Sequence, residues 1–173
     1  MKHVEHDILF LTEGIPQLQE YLLSGELYWP LAGSLPRLTP GAVLLALKQV
    51  AVYAPNRAGS LQAGFDSVRE QWRTAWEKKV AREVSSRLRL WSQYLAESLH
   101  PADGGLELYR SEVRGRVILQ LLLQEQPNLP ETRALAELDL ALMHYMKPGG
   151  FLWDEALQVV FNKKEFWFLY GSL

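Results

Sequence analysis

The stretch from Phe65 to His100 contains no glycine and no proline. Within it, apolar residues recur in steps of three or four, which is the spacing of one face of an amphipathic α-helix. The apolar positions are Phe65, Val68, Trp72, Trp76, Val80, Val84, Leu88, Trp91, Leu95 and Leu99. We therefore predict one long central helix over residues 61–99.

A helix of this length is difficult to fit into a chain of 173 residues. About 36 residues span roughly 54 Å as a straight helix, whereas a compact chain of this size is about 40 Å across. The apolar face also rotates by roughly 120–140° between the first and second halves. We therefore expect an interruption or a bend between Arg82 and Leu90, near residue 85. Alternatively, the two halves face different neighbours, one of which could be another chain.

Proline and glycine divide the rest of the sequence into further helices. Thr39 fits the N-cap position and Pro40 the first position of an apolar helix that continues to about Ala54. Residues 55–60 are predicted to form a turn, and further helices cover about 106–126 and 131–146. No segment has a strand pattern. The fold class is therefore all-α: a single-domain helical bundle of about seven helices over residues 1–173.

A short aromatic helix is predicted at the C-terminal end. Asn162 fits an N-cap that pairs with Glu165, and Gly171 fits the C′ position that ends the helix. The five consecutive apolar residues at 166–170 cannot all lie on one face of a helix, so they must be enclosed on more than one side.

Composition excludes several classes of function. The chain has no cysteine, which excludes disulfides, thiolate metal ligands and cysteine nucleophiles. A net charge of −2 argues against a bulk polyanionic partner. The first residues do not resemble a secretory signal, and the most apolar window, 42–54, is shorter than the roughly 20 residues that a bilayer requires. We expect a cytoplasmic, soluble protein without a membrane partner.

The aromatic residues are the least ordinary part of the composition, which includes six tryptophans. In one interpretation the C-terminal aromatics fold back onto the loop at 25–40. In the other, some aromatics are exposed and anchor a partner, as is common at binding hot spots. The leading hypothesis is a non-enzymatic interaction or scaffold protein that binds a protein partner or self-associates. Its candidate partner-binding residues are Tyr28, Trp29, Trp153, Trp167 and Tyr170.

Basic residues on the polar side of the long helix support an alternative function. They are Arg73, Lys78, Lys79, Arg82 and Arg89. This surface, with Trp72 or Trp76 available for stacking, would suit a helical subunit associated with nucleic acid. Interleaved acids favour instead a solvated face with ion pairs such as Lys79/Glu83, so nucleic acid is the less favoured partner. A small-ligand or enzyme site within the bundle is a third hypothesis.

Metal and catalytic signatures are weak. His3 and His6 lie three residues apart, and Glu97 and His100 have the spacing found in di-iron bundles, but that motif occurs only once. Phosphate-binding glycine loops and nucleophile elbows are absent from the sequence. We therefore assign no catalytic residue, no metal ligand and no cofactor, and we expect a protein that is not an enzyme.

Overall fold

The computed structural model describes residues 2–99 and 105–173 and shows a chain that is mostly helical. The α-helices are α1 (Lys2–Gly14), α2 (Leu18–Leu23), α3 (Pro40–Tyr53), α4 (Pro55–Gln71), α5 (Arg73–Ser98), α6 (Gly105–Glu125) and α7 (Glu131–Tyr145). Short 3₁₀ helices cover Ile15–Gln17, Glu155–Val159 and Trp167–Leu169. The all-α fold class is confirmed.

Short extended pairings also occur, although the sequence pattern predicts no strand. Strand β1 (Lys147–Pro148) pairs with β2 (Gly171–Ser172) in antiparallel fashion. Trp29 and Leu38 form an isolated bridge, in which each N–H donates to the other residue's carbonyl oxygen at 3.1 and 2.8 Å. This bridge closes the irregular loop between α2 and α3.

Prolines determine where α3 and α4 begin. The Thr39 hydroxyl accepts a hydrogen bond from the Ala42 N–H at 3.1 Å and Pro40 is the first residue of α3, as predicted. Pro55 is likewise the first residue of α4, so the predicted turn over 55–60 is wrong. Proline suits this position because its missing N–H would have no partner within the helix.

The long helix is interrupted, but not where the sequence pattern places the interruption. Trp72 has φ −116° and ψ 37°, outside the helical region, and separates α4 from α5. Helix α5 then continues without a break to Ser98. The predicted single helix over 61–99 and the predicted interruption between Arg82 and Leu90 are therefore wrong. A bend within α5 near residue 85 stays a prediction.

The chain divides into two compact units, Met1–Glu83 (unit 1) and Val84–Leu173 (unit 2). The boundary lies inside α5, so each half of this helix belongs to a different unit. Trp76 and Val80 are buried in the first half, and Trp91 and Leu95 in the second. This division accounts for the rotation of the apolar face and agrees with the alternative in which the two halves have different neighbours. A single domain over 1–173 stays a prediction.

The core of unit 1 is built mainly by α1, α3 and α4. Phe65 of α4 packs edge-on against Trp76 of α5, with ring centroids 5.1 Å apart. The Glu83 carboxylate is fully buried and accepts hydrogen bonds from the Thr39 hydroxyl at 2.8 Å and the Gly41 N–H at 2.7 Å. A negative charge at the N-terminus of a helix is favourable, so Glu83 ties α5 to the start of α3.

The aromatic tail belongs to the core of unit 2. Phe161, Phe166 and Phe168 are almost fully buried, and the rings of Phe161 and Phe166 meet edge to face at 5.0 Å. The Tyr109 hydroxyl of α6 donates a hydrogen bond to the Phe168 carbonyl oxygen at 2.7 Å. The tail therefore packs within its own unit, against α6.

The Asn162 side chain forms local hydrogen bonds, but it closes a turn and does not cap the aromatic helix, whose N-cap is Phe166. The Asn162 side-chain oxygen accepts from the N–H groups of Lys164 and Glu165, both at 3.1 Å. The short aromatic helix that follows is a 3₁₀ helix, Trp167–Leu169. Gly171 directly follows the C-cap residue Tyr170, which is the predicted C′ position, but it does not have the positive φ of a left-handed C′ glycine. It lies in β2, where it pairs with Pro148.

Gly171→Ala is expected to destabilise unit 2 by about 1–3 kcal/mol, the usual cost of overpacking. A Cβ at this position would lie 2.5 Å from both the Lys147 carbonyl oxygen and the Met146 Cε, and the backbone oxygen cannot move without breaking the β1–β2 pair. Urea denaturation measures the change. The matched control is Gly150→Ala, whose Cβ would meet open space. Equal stability of the two variants would contradict the close approach at Gly171.

Candidate functional site

A groove with a volume of about 600 Å³ lies entirely within unit 1. It forms where the end of α2, the end of α4 and the first turns of α5 converge. We call it the basic groove, because four of its lining residues are cationic: Arg73, Lys78, Lys79 and Arg82. Its apolar lining comes from Leu22, Leu23, Trp72 and Ala75. The volume is within the range of about 300–1,000 Å³ that is typical of ligand pockets.

The positive charge of the groove is a local concentration. Glu70 is the one acidic residue that lines it, against four cations. Unit 1 as a whole contains nine basic and nine acidic residues. Because clefts lined by one sign of charge focus the electrostatic potential, this groove would attract an anion even though unit 1 has no net charge.

Two of the four cations are available for a ligand. Arg73 and Lys78 are exposed, and neither has a hydrogen-bond or ion-pair partner within the part of the chain that the structure describes. Both could therefore contact an incoming anion without breaking an existing interaction.

The other two cations hold the wall of the groove. Lys79 is only 3% exposed, although the sequence pattern places it on the basic surface. Its ammonium group donates to the carbonyl oxygens of Ser24, at 2.9 Å, and Glu26, and lies over the Tyr21 ring. Burial lowers the pKa of Lys79, the Arg82 charge lowers it further, and Glu26 opposes both.

Arg82 has a similar role at the next turn of α5. It is exposed, but its guanidinium donates to the Gly25 carbonyl oxygen at 2.9 Å. Lys79 and Arg82 thus bind three consecutive carbonyl groups just beyond the end of α2, where cations are favourable. The predicted Lys79/Glu83 pair is replaced by these contacts and by the contact of Glu83 with α3.

Trp72 lies at the interruption between α4 and α5 and lines the groove. Its indole N–H is shielded from solvent and has no hydrogen-bond partner among the described residues. A buried donor without an acceptor is costly, by roughly 1–3 kcal/mol.

No protein-family model, no curated protein and no solved structure matches this chain. What the groove can bind therefore follows from its own chemistry.

The five predicted partner-binding aromatics are all half-buried and lie in two places. Tyr28 and Trp29 are in unit 1, where the Trp29 indole N–H donates to the Gln17 side-chain oxygen at 3.0 Å. The other three belong to unit 2: Trp153 packs on Phe161 at 5.2 Å, Trp167 packs on Phe168 at 5.6 Å, and the Tyr170 hydroxyl donates to the Phe161 carbonyl oxygen.

Arg89 is separated from the other predicted basic residues. It is exposed on the half of α5 that belongs to unit 2 and does not line the basic groove. Four of the five predicted basic residues are thus brought together by the fold. The wall formed by Leu22, Leu23 and Ser24 was missed, because α2 is about 50 residues away from α5 in sequence and no local pattern links them.

A second pocket, of about 350 Å³, lies in unit 2 beside Arg116 and Asp139. The Arg116 guanidinium donates to both Asp139 carboxylate oxygens at 2.9 and 2.7 Å and to the Gln120 side-chain oxygen at 3.1 Å. It also stacks over the Phe168 ring at 4.1 Å. Its main donors are already satisfied, so we assign this cluster to the stability of unit 2.

Among the side chains that the structure describes, at residues 3–99 and 108–173, no group of three histidines or carboxylates is arranged to hold a metal ion. His3 and His6 are exposed on α1. His100, the second half of the Glu97/His100 spacing, lies outside the described residues. None of the described helices combines the length and apolar character needed to cross a bilayer.

Proposed function

We propose that this protein is a non-enzymatic binding protein whose working surface is the basic groove, and that its ligand carries both negative charge and an apolar group. The observation that supports this most directly is the composition of the groove: four cations and one acid beside a tryptophan and two leucines. Charge complementarity would guide the ligand to the groove, and burial of apolar surface would hold it there.

The four cations have different roles in this proposal. Arg73 and Lys78 contact the ligand, because they are exposed and unpaired within the described chain. Lys79 and Arg82 keep the segment after α2 in place, because both already bind its carbonyl groups. Arginine is well suited to the first role, since its planar guanidinium matches the geometry of a carboxylate or phosphate.

The interaction-protein class predicted from the sequence is retained, but a different surface is assigned to it. The predicted aromatic surface is less suitable, because Trp29, Trp153, Trp167 and Tyr170 are already engaged by neighbours in their own units. Self-association and a cytoplasmic location remain part of the proposal.

Association with nucleic acid is the second candidate. It is favoured by the cations gathered on one side of α5 and by the adjacent Trp72. A salt titration of single-strand binding separates the two candidates, because each phosphate contact contributes about −0.7 to the slope of log K against log salt. If Arg73 and Lys78 are the two contacting cations, the slope is no steeper than about −1.5. A steeper slope would favour the nucleic-acid candidate.

Binding of 8-anilinonaphthalene-1-sulfonate, a dye with one sulfonate and an apolar ring system, tests the proposal. We expect the dye to bind the parent protein, and Arg73→Glu/Lys78→Glu to weaken its affinity at least tenfold, because both ligand-contacting charges are reversed. Dye fluorescence measures the affinity, and circular dichroism confirms that the fold is retained.

The matched control reverses two exposed cations of unit 1 that do not line the groove, Lys48→Glu/Arg57→Glu. It changes the net charge by the same amount and should leave dye affinity within twofold of the parent. If both double variants lose the same affinity, or if the dye does not bind at all, the groove is not an anion site and the proposal is wrong.

A further inference from the structure

We infer that the occupant of the basic groove is an acidic peptide segment of a protein partner, in which carboxylate side chains flank an apolar residue. This inference rests on the proposed function and adds the class of ligand. It is carried by two properties of the groove: the way charge is distributed, and the apolar surface beside that charge.

The charge distribution suits one or two carboxylates better than a chain of phosphates. Arg73 and Lys78 are the two lining cations that have no partner among the described residues. Each has an exposed acid close to it in sequence: Glu70 before Arg73, and Glu77 before Lys78. A nucleic-acid strand carries a charge at every nucleotide and needs a continuous basic path. These acids interrupt such a path, whereas a peptide can place its carboxylates only where the cations are.

The apolar part of the groove suits a side chain such as leucine or phenylalanine. Leu23 is 57% exposed at the end of α2 and lies beside Leu22 and Trp72 in the groove lining. An apolar side chain that covers Leu23 and Trp72 removes apolar surface from water on both partners. A ligand with charge alone, such as a short oligophosphate, leaves this surface uncovered.

A peptide can meet both requirements at once, because its carboxylates can pair with Arg73 and Lys78 while an apolar side chain between them covers Leu23. Tryptophan and arginine are also the residue types that most often dominate the energy of protein interfaces.

Fluorescence anisotropy with defined probes tests the inference. The probe is a fluorescein-labelled hexapeptide, Asp-Glu-Leu-Phe-Asp-Glu. One control peptide replaces the acids by their amides, another replaces the Leu-Phe pair by Ser-Ser, and a 12-nucleotide oligo-dT serves as the nucleic-acid probe. We expect the acidic apolar peptide to bind at least tenfold more tightly than each of the other three probes.

Two variants connect this binding to the groove. Arg73→Glu/Lys78→Glu should weaken peptide binding at least tenfold. Leu23→Ser removes the exposed apolar side chain of the groove without a change of charge, so it should weaken peptide binding about fivefold. Lys48→Glu/Arg57→Glu should bind the peptide like the parent.

The possible results distinguish failure of the peptide inference from failure of the proposed function. If oligo-dT binds more tightly than the peptide and depends on Arg73 and Lys78, the peptide inference is overturned and the anion groove stands. Equal binding of all three peptides also overturns the inference. If neither the peptide, the oligo-dT nor the sulfonate dye distinguishes the double variant from the parent, the proposed function itself fails.

Discussion

Truncation after Asn162 is expected to unfold unit 2 or to yield insoluble protein. The deletion removes Phe166, Phe168 and Leu169, each of which is at most 1% exposed. Full burial of such a side chain contributes about 1.5–3 kcal/mol, and the net stability of a whole domain is only about 5–15 kcal/mol. The deletion also removes the carbonyl oxygen that accepts from the Tyr109 hydroxyl and the ring over which Arg116 stacks.

Thermal denaturation and the soluble fraction after expression measure this effect. A single change at the same place provides the control: Phe168→Leu keeps an apolar side chain and the hydrogen bond of its backbone, so it should be destabilised much less than the truncated chain. If the truncated protein keeps its melting temperature and oligomeric state but loses a binding partner, the tail is a recognition element. That result would favour the aromatic surface over the basic groove.

Local signals in the sequence were sufficient where the structure depends on neighbouring residues. The Thr39 cap and the Pro40 start of α3 were predicted correctly, because a cap is formed by side chains and N–H groups within one turn. The hydrogen bonds of Asn162 are equally local, but they close a turn, and Phe166 is the N-cap of the 3₁₀ helix that follows. Gly171 stands at the predicted C′ position, but the close approach that constrains it comes from Lys147, 24 residues earlier in the chain.

The interruption at Trp72 has no local signal of the kind that proline or glycine provides. Its neighbours Gln71 and Arg73 are good helix formers, so the interruption depends on tertiary packing of α4 and α5. The rotation of the apolar face indicated correctly that the helix has two sets of neighbours. It did not indicate that the helix is interrupted at Trp72, which comes before the end of unit 1 at Glu83.

The candidate site was predictable only in part. The basic residues were identified from the sequence, but a count of charges does not distinguish Lys78 from Lys79. The burial pattern of α5 does: Lys79 lies three residues after Trp76 and four before Glu83, both buried, so it shares their face. A lysine at such a position is held by buried acceptors, and here these are the carbonyl groups after α2.

Glu83→Ala is expected to destabilise the protein by roughly 1–3 kcal/mol for each buried donor that it leaves without an acceptor. The Glu83 carboxylate is fully buried and accepts from the Thr39 hydroxyl and from the Gly41 N–H at the start of α3. Its removal leaves these donors without their acceptor in a site that water does not reach, and α3 is the most buried helix of unit 1.

Two further variants show whether this cost belongs to the contact itself. Glu83→Gln keeps the size of the side chain and one acceptor oxygen, so it should lose less stability than Glu83→Ala. Glu20→Ala, which removes an exposed acid of unit 1, should stay within about 0.5 kcal/mol of the parent. A double-mutant cycle of Glu83→Ala with Thr39→Val, followed by urea denaturation, measures the coupling directly, and residues in one hydrogen-bond network couple by about 0.5–3 kcal/mol. Strictly additive losses would mean that Glu83 stabilises the protein by a route other than the Thr39 hydroxyl, such as the Gly41 N–H.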